Sequence, residues 1–238
     1  MKNRDLIISV IKKYEKMQDI SRDLPGPSRI NLKRGTKHVI SSYLEDITGA
    51  FIADLLPKTK YTVLVDQTFT FENSKKQFRP DITIIRNAAK GKYIVGFFEV
   101  KDSPNPFRWN ERKNQNRGKE YVVSRIKRID AFRNSYLKYK DLNQLQHQIL
   151  VDKDVILDLV FFSDKLFSDD KMTSLKNYCD KNKGVKLHIL LRGCHPNVKS
   201  SQITANQLIK KIKNGDSKIK YSVKTLKQGV SEIKRNYK

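Results

Sequence analysis

The most apolar strand of this sequence, Tyr93 to Val100, closes on two charges of opposite sign, Glu99 and Lys101. A strand that is apolar on both faces has to be covered on both. Glu99 and Lys101 are two residues apart, so they share one face.

The neighbouring segments narrow the architecture. A helix is expected over 37–56, with Val39, Ile40, Tyr43, Leu44, Ile47, Phe51 and Leu55 as its apolar stripe and Pro57 ending it. Strands rich in β-branched and aromatic residues are expected at 61–66, 67–71, 81–86 and 93–101, with 72–77 and 87–92 as polar turns. A polar loop at 103–119 leads to a helix over 120–139. A strand at 155–163, a helix at 169–182, a strand at 185–191 and a short helix at 205–213 follow. The order predicts an α/β domain with a mixed central sheet flanked by helices. The chain is expected to be one domain over 1–238, with an N-terminal helical arm at 1–30 and a basic C-terminal extension at 193–238.

Charge restricts the partner. Lys and Arg number 49 against 25 Asp and Glu, a formal charge of +24. A surface this positive calls for an anion, and nucleic acid is the usual one. No run reaches the roughly 20 apolar residues of a membrane span, and no signal peptide is expected at the N-terminus. Cys179 and Cys194 lack metal-ligand spacing and read as thiols of a reducing cytoplasm.

The chemistry concentrates on three residues. With a turn centred near Lys90, Asp81 would stand opposite Glu99 in an antiparallel pair, Cβ atoms roughly 5 Å apart. Two carboxylates that close repel unless a cation lies between them, and Mg²⁺ is the natural partner of oxygen ligands. Asp81 and Glu99 are the expected metal ligands, and Lys101 is placed to orient a metal-bound water or to stabilise charge on a phosphate.

Pro80-Asp81 followed by Glu99-Val100-Lys101 resembles the PD-(D/E)XK nuclease superfamily, which includes many restriction endonucleases and junction resolvases. The resemblance spans about 37–191, and its literal motif is five residues. It implies a restriction-endonuclease-like α-β-β-β-α-β core and Mg²⁺-dependent cleavage of DNA, with Asp81, Glu99 and Val100 as metal ligands. It also implies an acid from the preceding helix. Helical geometry leans towards Asp46, whereas the stretch Ser41-Ser42-Tyr43-Leu44-Glu45-Asp46 is similar to the helix of restriction-type members and points to Glu45, which is placed first.

Base contacts are expected from Arg108, Trp109, Asn110, Arg112, Lys113, Asn114, Gln115, Asn116 and Arg117, because Arg with Asn or Gln is the set that reads base edges. Arg125, Lys127, Arg128 and Arg133 read as a solvated basic face bordering phosphate. The function expected is an endonuclease on double-stranded DNA, of type II restriction character, acting as a homodimer. The alternatives are a Holliday-junction-resolvase-like nuclease and a non-catalytic DNA-binding protein. A C-terminal half longer than a minimal resolvase needs favours the sequence-reading enzyme.

Overall fold

The computed structural model describes residues 3–22, 38–71, 77–89, 91–102, 117–141, 143–164, 169–182, 184–194, 204–217 and 219–237. Their elements are helix α1 (Asn3–Arg22), helix α2 (His38–Leu55), strands β1 (Tyr61–Val65), β2 (Phe69–Phe71), β3 (Gln77–Phe78), β4 (Ile82–Ala88) and β5 (Gly91–Lys101), and helix α3 (Arg117–Phe132). Strands β6 (Tyr136–Lys140) and β7 (Gln146–Ser163), helix α4 (Asp169–Lys181), strand β8 (Val185–Arg192), helix α5 (Ala205–Lys213), strand β9 (Lys220–Tyr221) and helix α6 (Lys224–Asn236) complete them.

The described strands form one mixed sheet. β1, β4 and β5 pair antiparallel, β5 and β7 parallel, and β7 and β8 parallel. The long β7 also pairs β6 antiparallel through its first half. This is the α/β class, with a mixed sheet between helices, that the apolar pattern predicts. One apolar layer holds residues of α1, α2, α5 and α6 against the sheet, and the other holds residues of α3, α4 and the β2, β3 and β6 strands. Strand β5 carries apolar residues to both layers, which explains its uninterrupted apolar run.

Three departures from the sequence reading have physical causes. The helix expected over 120–139 stops at Phe132. Asn134 takes a left-handed conformation, and Tyr136, Leu137 and Tyr139 continue as strand β6. The spacing of Tyr136, Leu137 and Tyr139 is ambiguous between the two states over so short a stretch. Strand β7 begins at Gln146 rather than 155, because residues 152–155 bulge between its two pairings with β5. The basic C-terminal segment is built into the fold: Leu208, Ile209, Ile212, Leu226, Val230 and Ile233 are all buried in the first layer.

Two registers position the site. β1 with β4 (Val65 opposite Ile82) and β2 with β3 (Phe69 opposite Phe78) keep one register, so they are the two halves of a single hairpin. It bends at Asp66, which is left-handed, and at Pro80, and its outer half crosses to pair with β6. In the β4–β5 hairpin the turn lies between Ala88 and Gly91, and one extra residue, Val95, bulges out of β5. Val95 makes up the difference from a turn centred on Lys90. The register beyond it, Ile82 opposite Phe98, sets Asp81 against Glu99 when continued by one residue.

Candidate active site

The bend of the hairpin delivers Asp81 to the end of β5, where Glu99 and Lys101 project from the same face. The Val100 amide donates to Asp81 Oδ2 at 2.6 Å, and Lys101 Nζ donates to the same oxygen at 2.5 Å. Lys101 Nζ also lies 3.5 Å from Glu99 Oε2. One ammonium therefore bridges the two acids, as cross-strand parity requires.

Glu99 is 2 % exposed. A carboxylate buried to that degree is strongly destabilising unless cations face it. The second cation comes from helix α3: Arg125 Nε lies 3.2 Å from Glu99 Oε1. The Arg125 guanidinium also lies 5.9 Å from the centre of the Phe78 ring, so the outer half of the bent hairpin helps to seat it. Arg125 is thus largely buried at the site, not part of a solvated face, whereas Lys127 and Arg128 beside it are exposed. Arg133 is half-buried, paired with Asp130 and donating to the Lys153 carbonyl. The sequence does hold a signal for Arg125: it is one residue from the half-buried Ile126 and four from the buried Ile129, at the edge of the helix's apolar side.

Helix α2 supplies a third carboxyl. Glu45 is half-buried, and burial, with the nearby charge of Asp81 second to it, pushes its carboxyl up to about 7; the Lys101 charge acts in the opposite direction. Asp46 is exposed. Gly49, one turn beyond Glu45, explains how the helix comes so near: a Cβ there would meet Val65 Cγ2 at 2.6 Å. Glycine permits this approach to the end of β1 without displacing Val65. Asp66, next to Val65, pairs with Arg79, and its amide donates to the Asp81 carbonyl at 2.8 Å.

The donor set suits a hard divalent cation. Asp81 and Glu99 offer carboxylate oxygens on one face, and Mg²⁺ commonly takes only one or two carboxylates, the rest of its shell being water and substrate oxygens. Among the described residues no group of three or more His, Cys, Asp and Glu is close enough together to hold a metal ion, so such a shell would depend on water and phosphate. Residues 108–116, expected to read bases, lie outside the described residues, and Arg117 opens helix α3.

No helix among the described residues is long and apolar enough to cross a membrane. No family model, no curated protein and no solved structure was found to match this chain.

Proposed function

We propose that this protein is a Mg²⁺-dependent endonuclease that hydrolyses phosphodiester bonds of double-stranded DNA, of type II restriction character and acting as a homodimer. The observation that carries the reading is the convergence of Asp81, Glu99 and Lys101, with Lys101 Nζ between the two acids and Glu45 at their side. The resemblance to PD-(D/E)XK nucleases rests on Pro80-Asp81 and Glu99-Val100-Lys101, which lie on a mixed sheet flanked by helices. The +24 charge supports a polyanionic substrate.

Asp81, Glu99 and the Val100 backbone would hold the ion. When bound, Mg²⁺ polarises a phosphoryl oxygen and lowers the pKa of its water. The Val100 amide fixes the Asp81 carboxylate. Arg125 pairs with Glu99 and orients it from the far side. The Lys101 ammonium, which bridges the two acids, would stabilise charge developing on the scissile phosphate. Two-fold symmetry of the dimer would match a palindromic duplex site.

Plasmid DNA incubated with and without Mg²⁺, using the natural protein and Asp81→Ala, tests this. Discrete Mg²⁺-dependent fragments that the variant does not produce are expected. DNA binding without cutting under every divalent metal tried would overturn the enzyme, and cutting confined to branched junctions would replace a restriction enzyme by a resolvase.

A further inference from the structure

Among the described residues the site holds three buried or half-buried acids, Asp81, Glu99 and Glu45, and two cations, Lys101 and Arg125. Lys101 and Arg125 approach Glu99 on different oxygens, Oε2 at 3.5 Å and Oε1 at 3.2 Å. Lys101 and the Val100 amide both approach Asp81 on Oδ2. The two cations differ in kind. Lys101 is a compact ammonium on a flexible stem at the solvent edge of the site. Arg125 cannot lose its proton, and it is seated between Glu99 and the Phe78 ring on a helix packed to the sheet. Among the described residues, Lys101 is the one cation that an ion entering beside Asp81 has to displace. An ion bridging the Oε1 side of Glu99 has to sit against a fixed guanidinium charge.

We propose that the Arg125 guanidinium occupies, beside Glu99, the place that a second divalent ion would take, so that each chain binds one catalytic ion, on the Asp81 side of the site. Arg125 is a positioning residue here, acting on the metal stoichiometry through Glu99. This rests on the metal-dependent reading above and specifies it: hydrolysis uses one ion, with a protein cation supplying the charge that a second would bring.

The test is a titration of metal-binding stoichiometry, with Mn²⁺ as the probe and the free ion followed by electron paramagnetic resonance. The natural chain is expected to bind one Mn²⁺, and Asp81→Asn to lose it. Arg125→Ala, checked for folding by circular dichroism, is expected to bind two, and Arg125→Lys one. Two ions on the natural chain would overturn the inference and leave the metal-dependent nuclease standing. No ion on the natural chain, alone or with duplex DNA bound, would overturn both. One ion on a folded Arg125→Ala protein would also overturn the inference. Should that variant fail to fold, the count on the natural chain still decides.

Discussion

Asp66 faces Asp81 across the bend of one continuous hairpin, and the Asp66 amide donates to the Asp81 carbonyl at 2.8 Å. The backbone bond anchors the acid at the point where the hairpin bends from β4 towards β6. The Asp66 side chain turns instead to Arg79. Asp81 thus owes its place to main-chain pairing on one side, through Asp66, and to the Val100 amide on the other.

Glu45 sets a pH dependence whose sign is determined. Its pKa rises from 4.5 to about 7 on folding, because burial and the Asp81 charge disfavour the carboxylate. A raised pKa means a contribution to stability that is complete below 4.5 and lost as the pH rises through about 7. Glu45→Gln should match the natural protein at pH 4 in chelator-containing buffer and exceed it at pH 8. The difference should be about 1 kcal/mol, allowing for the solvent screening of a half-exposed group. Urea melts at the two pH values measure it, and equal differences at both would refute the assignment.

Gly49 should resist replacement. Alanine would gain about 1 kcal/mol of helix propensity, yet its Cβ would meet Val65 Cγ2 at 2.6 Å. Overpacking typically costs about 1–3 kcal/mol, so Gly49→Ala should lower stability by about 1 kcal/mol net. A denaturation midpoint at or above the natural one would show that Val65 gives way freely.

Asp158 and His188 form a fully buried pair on neighbouring strands, Oδ1 to Nε2 at 2.9 Å. Among the described residues neither Asp158 Oδ2 nor His188 Nδ1 has a hydrogen-bond partner. Helix α6 closes over the pair at Gly229, where a Cβ would stand 3.2 Å from Asp158 Oδ2 and 3.4 Å from the imidazole. Asp158→Ala strands the imidazole and should cost about 3 kcal/mol, read from urea unfolding. A loss well below about 1 kcal/mol would mean that the pair contributes little.

Salt should govern DNA affinity. Lys210, Lys213, Lys220, Lys224 and Arg235 are exposed on the C-terminal elements, in a chain of net charge +24. Binding to a non-specific duplex without Mg²⁺ should weaken by about 10³-fold between roughly 50 and 200 mM salt. Fluorescence anisotropy gives the slope, and a flat one would remove the phosphate backbone as the main ligand.

Much of this architecture is legible in the sequence because it rests on alternation. The apolar run of β5, the shared face of Glu99 and Lys101, and the pairing of Asp81 with Glu99 all follow from strand parity. What escapes is tertiary. The helical stripe drawn through Val39, Tyr43, Ile47 and Phe51 tilts the acid towards Asp46. Thr48, Gly49 and Ile52 are also buried, and they move the packed side of the helix towards Glu45. Two small residues with no apolar signature decide that contact. Arg125 shows in the sequence only as a residue at the edge of an apolar helix side; its partner becomes visible only once Glu99 is known to lie beneath it. The β6 strand is lost inside a helix-like pattern that Asn134 interrupts.

The bulge at Val95 has a consequence for the far end of the chain. Val95 faces the first apolar layer, and the next residue, Gly96, faces it too, so that side of β5 offers bare backbone three residues from Glu99. Ile233 of the last helix fills the gap, its Cδ1 lying 3.0 Å from where a Gly96 Cβ would stand. The lysine-rich C-terminal helix is therefore the backing of the strand that presents Glu99 on its opposite face. It cannot serve as a detachable DNA handle: truncation before Lys224 would remove the support behind Glu99, and a fusion partner at this end has to leave Ile233 seated.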